Sequence, residues 1–171
     1  MPWQNKPVSP VGRLTRAALL TAIALTIFMA EAQLPAPIPI PGVKLGLANI
    51  VTVYAIYLLG PADTLMILIS RIFLGAVFSG QMMTLLYSLG GGLCCFGAML
   101  VLRQVLGREQ LWLVSPLAAV CHNLGQVLVA AAVMKTWAVL SYLPYLILAA
   151  ICAGFFTGIC TQLLIRRLEK L

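Results

Sequence analysis

Charge is what this sequence has least of. Only 9% of its 171 residues are charged, against 62% hydrophobic ones, whereas a soluble domain carries about 25% charged residues. Too few charges are present to cover a water-facing surface, which excludes a soluble enzyme and a nucleic-acid-binding domain. Acidic groups are scarcer still, with 4 Asp+Glu against 11 Lys+Arg. Asp63 is the one aspartate and His122 the one histidine. A magnesium-dependent prenyl transferase needs clustered aspartates to hold metal and diphosphate, so this chain cannot do that chemistry alone. A lone histidine builds no metal site. No glycine-rich loop ending in Gly-Lys-Ser/Thr is present to cradle phosphates, and Gly90-Gly91-Gly92 reads as close helix packing. An intramembrane serine protease needs a serine paired with a base, and Ser79 with His122 is a remote candidate. The 5 cysteines show neither metal-type spacing nor a disulfide framework and read as small buried hydrophobes. The expectation is therefore no enzyme, no metal and no cofactor.

What is present is apolar sequence, with a mean hydropathy of +1.04. A spanning helix takes about 20 mainly apolar residues. Six segments fit: residues 14–34, 45–59, 62–79, 82–106, 115–134 and 143–165. The second is short, Gly60-Pro61 breaks it, and Ser115-Pro116 suggests an N-cap and first-turn proline opening the fifth. The fold class expected is an all-α integral membrane protein, a bundle of about six transmembrane helices in a single domain over 1–171. Residues 1–13 would form a cytoplasmic segment, 35–44 an extracellular proline-rich loop and 166–171 a cytoplasmic tail. Lys6, Arg13, Arg16, Arg103, Arg108, Arg166, Arg167 and Lys170 fall on one side, Lys44 and Lys135 on the other. That bias places both termini in the cytoplasm of a cell-membrane protein. Trp3 and Trp112 then lie near the inner interface and Trp137 near the outer one. Basic residues, the apolar run 17–30 and Ala30-Glu31-Ala32 also look like a signal peptide, but a multispan chain needs no separate export signal.

Hydrophilic residues inside the spans carry the functional information. Arg71 falls about 13 Å into the third span at 1.5 Å per residue, near the bilayer midplane. Ionisable groups there are costly and face a bundle interior or a wet cavity. Arg71 is either an anchor for an anionic solute or a structural arginine paired with Glu31 or helix carbonyls. In the fifth span His122, Asn123 and Gln126 fall one turn apart and form one polar face, either meeting a ligand or gluing helices together. Glu31, Lys44 and Asn49 cluster where the first span ends and the second begins. A helix N-terminus there suits an anion, while a snorkelling lysine and a capping asparagine are the plainer reading. The substrate-binding set is thus Glu31, Lys44, Asn49, Arg71, His122, Asn123 and Gln126. Ala18 and Ala22 form a small-residue stripe on the first span, and Gly154 and Gly158 another on the sixth; either allows close packing or docking.

The run Pro41-Gly42-Val43-Lys44-Leu45-Gly46-Leu47-Ala48-Asn49, with Arg71-Ile72-Phe73-Leu74-Gly75 and His122-Asn123-Leu124-Gly125-Gln126, resembles the Gx transporter family, also named heptaprenyl diphosphate synthase component I. The resemblance covers nearly the whole chain. That family is similar to the S-components of energy-coupling-factor transporters, six-helix proteins that capture a vitamin and dock through an alanine stripe on helix 1, matched here by Ala18 and Ala22. The resemblance implies a substrate-binding membrane subunit for a small anionic or vitamin-like solute. Its partners would be membrane lipid and a transmembrane coupling subunit with ATPases, and no nucleic acid. The alternative is a non-catalytic membrane component associated with a prenyl synthase or redox partner, in heptaprenyl diphosphate and quinone synthesis or flavin-based extracellular electron transfer.

Overall fold

The computed structural model describes residues 9–33, 46–80 and 82–168. Six α-helices follow in order: α1 Pro10–Gln33, α2 Asn49–Leu58, α3 Pro61–Ser79, α4 Met82–Val105, α5 Leu111–Met134 and α6 Leu143–Leu168. Two short 3-10 helices, Arg108–Gln110 and Trp137–Tyr142, flank α5, and no strand occurs among the described residues. Every helix but α2 is long and apolar enough to cross a membrane. Large apolar side chains such as Phe73, Phe78, Leu148 and Leu163 are exposed on the outside of the bundle. In water such a surface would aggregate; in hydrocarbon it is solvated. The protein is an all-α, multi-pass membrane bundle.

The second helix departs most from expectation. It begins at Asn49 rather than Leu45, after a turn at Gly46–Ala48 in which Gly46 adopts φ +76°. With 10 residues, it is about 15 Å long at 1.5 Å per residue, half of a hydrocarbon core of about 30 Å. It survives because it is interior. Helices α1, α3, α4, α5 and α6 all touch it. One side of α2 packs Val53 and Ile56 on Leu68, Met99, Leu111 and Val114; another packs Val51 and Ala55 on Ala17, Ala24 and Ile67. Arg103 and Arg108 donate to the Ile56 and Tyr57 carbonyls at 3.0 and 2.9 Å, answering the free carbonyls of its last turn.

Two helix starts invert the expected reading of serine-proline. Ser9-Pro10 opens α1, where the Gly12 N–H donates to Ser9 Oγ at 3.1 Å, an N-cap with proline in the first turn. Helix α1 thus begins four residues earlier than expected. Ser115-Pro116, expected to open α5, instead lies inside it, because α5 starts at Leu111. Leu111 and Val114 are fully buried, so packing pulls the preceding turn into the helix. Ser115 caps nothing; its hydroxyl bonds Thr157 on α6 at 2.8 Å.

Glycines set the tightest helix pairs. A Cβ on Gly125 would lie 2.8 Å from the Gly90 carbonyl oxygen, and one on Gly91 2.8 Å from that of His122, so α4 and α5 meet backbone to backbone. On α6, a Cβ at Gly158 would lie 2.7 Å from the Leu111 oxygen, and one at Gly154 would strike the Pro116 backbone. The Gly154–Gly158 stripe is therefore internal packing. Ala18 and Ala22 instead lie on the exposed face of α1.

Gly154→Ala should lower stability by about 2 kcal/mol, in the range for overpacking a tight core, because backbone cannot move aside as a side chain can. Gly97→Ala, where nothing lies within 4 Å of the added carbon, should match the wild type. Thermal unfolding of both proteins in the same detergent checks this; equal melting of the two would refute the backbone contact.

Candidate functional site

Since α2 is half a span long and its C-terminal end adjoins the start of α3, its N-terminal end stops partway through the bundle. Arg71 lies about 15 Å from the start of α3 at 1.5 Å per residue, the same depth as Asn49. A narrow cleft opens there, part of it continuous with the exterior. It is lined by Phe28 and Glu31 of α1, Gly46 and Ala48 of the turn, Asn49 of α2, Arg71 and Ile72 of α3, Ser88 of α4, and His122 and Gln126 of α5.

Glu31 organises one wall. Its carboxylate accepts the Gly46 and Leu47 N–H groups at 2.6 and 3.0 Å. These amides belong to the turn that leads into α2, so the carboxylate answers free donors and the positive end of the helix dipole together. Asn49 starts the helix, and its amide lies against Gly46, 3.1 Å from where a Cβ would be.

Arg71 faces it. Its side chain is 6% exposed, and its Nε is buried without a hydrogen-bond partner. Glu31 and Cys95 lie within its electrostatic reach. Phe28 is held one turn along α3, where its ring lies 2.9 Å from the position of a Cβ on Gly75; only glycine admits the ring so close. Across the cleft, His122 leans on α4, with Cε1 3.1 Å from the Cβ position of Gly91. Its Nδ1 is buried and without a partner. Two residues that line the cleft thus each keep a buried polar atom without a hydrogen-bond partner, and an orphan of this kind costs about 1–3 kcal/mol unless something meets it.

Of the substrate-binding set named from the sequence, Glu31, Asn49, Arg71, His122 and Gln126 line this cleft. Lys44 lies outside the described residues. Asn123 does not join them: its Nδ2 donates to the Leu146 carbonyl at 2.8 Å and ties α5 to α6. The polar face expected of His122, Asn123 and Gln126 is split because adjacent helical residues diverge by about 100°. Ser79, the remote nucleophile, bonds the Ala76 carbonyl of its own helix. Sequence reasoning missed Phe28, Gly46, Ala48, Ile72 and Ser88. Phe28 is one turn before Glu31, so helical spacing from that residue would have found it; Ser88 lies on α4, where the sequence named no candidate. Among the described residues no group of three His, Cys, Asp or Glu side chains is placed to hold a metal.

The fold and the cleft define a class: a multi-pass helical membrane protein with a polar recess among its helices. The model of the family described as heptaprenyl diphosphate synthase component I matches residues 20–164, and the chain belongs to that family. Comparison with curated proteins and with solved structures gave no match.

Replacing Glu31 by alanine should release the turn before α2. Hydrogen bonds to a charged group contribute about 1.5–3 kcal/mol, so exchange of the Gly46 and Leu47 amides should accelerate about tenfold or more. Hydrogen–deuterium exchange with mass spectrometry reads this. Unchanged protection over residues 46–50 would show that the carboxylate does not hold the turn.

Proposed function

We propose that the protein is the substrate-binding subunit of a membrane transporter for a small anionic or vitamin-like solute. One observation carries this reading. Polar residues from five sequence segments, each costly within a membrane, converge on one cleft. A structural role alone would leave them satisfied, yet Arg71 Nε and His122 Nδ1 have no partner. A ligand supplying an acceptor to the arginine, and a complementary group to the imidazole, would remove both penalties.

In this reading Arg71 and Lys44 meet negative charge, while Asn49, His122 and Gln126 orient the solute. Glu31 fixes the wall, and Asn123 holds α5 against α6. Both termini are cytoplasmic, so the half of the bundle beyond the α2 N-terminus opens outward. Basic groups at the other end support this orientation: Arg13 pairs with Asp63, and Arg166 with Glu109. The chain has no phosphate-cradling loop, so inward release draws on a coupling subunit and its ATPases. The exposed face of Ala18 and Ala22 on α1 offers the close approach such a subunit needs.

The family description favours a second reading, a non-catalytic membrane component working beside a prenyl diphosphate synthase or a redox partner. There the interior polar groups would be structural. Retained ligand and co-purified proteins discriminate the two.

Native mass spectrometry of the protein taken from its source membrane should show a retained small molecule. Its occupancy should fall about tenfold or more in Arg71→Ala, consistent with a lost charged hydrogen bond, and less steeply in His122→Ala. Co-purification with a membrane coupling subunit and an ATPase belongs to the same outcome. Absence of any retained molecule, together with recovery of a prenyl synthase or redox protein, would select the second reading.

A further inference from the structure

The charge inventory of the cleft limits what it can hold. Arg71 is the single cation among its described lining residues and Glu31 the single anion. Glu31 already takes the two amides of the turn before α2, and the first amides of α2 itself are taken by the Gly46, Leu47 and Ala48 carbonyls, so an incoming anion is not received there. The helix end adds about half a positive charge. The recess therefore stands near neutrality before any solute enters. Lys44, two residues before Gly46 in sequence, adds at most one further positive charge.

At this depth, uncompensated charge is expensive, because desolvation is offset only by close partners. A singly charged oxyanion leaves the recess close to balance. A diphosphate brings two to three negative charges, is ordinarily held by clustered aspartates through magnesium or by several cations, and finds neither among the described residues. Arg71 has a specific vacancy to offer: the Nε–H is a donor without a partner, in a side chain only 6% exposed. Beside it, the ring of Phe28 and the side chain of Ile72 present apolar surface, suited to the body of a solute rather than to its charge.

The geometry points to a monocarboxylate with an apolar or aromatic body as the solute class of this cleft. The carboxylate accepts from Arg71 Nε–H, the body lies against Phe28 and Ile72, and a polar substituent meets His122 Nδ1. This assignment rests on the solute-binding reading of the cleft and adds to it the charge and shape of what is bound.

Isothermal titration of the full-length protein in lipid nanodiscs tests it, with benzoate, benzamide and inorganic pyrophosphate as probes at matched ionic strength. Benzoate should bind saturably. Benzamide, which lacks the charge, should bind about tenfold or more weakly, the loss expected when a charged hydrogen bond is removed. Pyrophosphate should give no saturable heat. Arg71→Gln should remove benzoate binding. Arg71→Lys, which keeps the charge but loses the planar fork, should weaken it severalfold and serves if the glutamine protein does not fold. Saturable pyrophosphate binding as tight as that of benzoate overturns the assignment. So does benzoate binding that survives intact in the Arg71 variants, or an absence of benzoate binding to the wild type. Those results concern the solute class alone. If native mass spectrometry still finds a retained molecule of another charge class, the binding subunit reading stands and only the monocarboxylate falls; if it finds none, both fall.

Discussion

A half-length helix buried in a membrane bundle must have both of its ends answered by the protein. Four N–H groups at one end of α2 and four carbonyls at the other lack partners within the helix, and no bulk water reaches the hydrocarbon core to supply them. The chain answers the carbonyl end with Arg103 and Arg108, which reach Ile56 and Tyr57. At the amide end the Asn49, Ile50 and Val51 N–H groups meet the Gly46, Leu47 and Ala48 carbonyls, and Glu31 holds that turn by accepting from the Gly46 and Leu47 N–H groups. These charges are not ornaments on the bundle. They are the condition for having a short helix at its centre, and the cleft occupies space that a full-length helix would have filled.

Polar groups then converge because the surrounding helices come close. Gly90, Gly91 and Gly125 bring α4 and α5 into backbone contact, which carries His122 and Gln126 to the edge of the space beyond α2. Gly75 accepts the ring of Phe28 and brings α1 against α3 at the level of Arg71. Gly154 and Gly158 fasten α6 to α5 behind the site, and α6 contributes no residue to the cleft. Small residues and interhelical hydrogen bonds do here what the hydrophobic effect does in water, since lipid tails offer no penalty for exposed apolar surface.

Much of this could be read in advance, and the exceptions share a cause. The spans were legible because hydrocarbon imposes one requirement, length and apolarity, that every segment meets independently. Arg71 and His122 stood out because a polar group in an apolar run has few inexpensive positions. The family expectation drawn from the Pro41–Asn49 run and the Arg71 and His122 segments agrees with the match over residues 20–164. Less legible was Asn123, one residue from His122 yet bound to Leu146 on a different helix. The Val-Ser-Pro tripeptide occurs twice, beginning α1 at Ser9 and lying within α5 at Ser115. Local chemistry is identical in the two copies; what differs is that Leu111 and Val114 have a core to enter.

The sequence alone determined that this protein lives in a membrane as a helical bundle, and that a handful of hydrophilic side chains must be sheltered inside it. Those properties follow from transfer free energies of single residues and hold whatever the neighbours are. Tertiary structure decided which of those side chains share a cavity and which pair off. It also decided that α2 stops midway, and that the carboxylate of Glu31 stands at the end of that helix. Such outcomes depend on which helix faces which, a relation between residues far apart in the chain that no local pattern encodes.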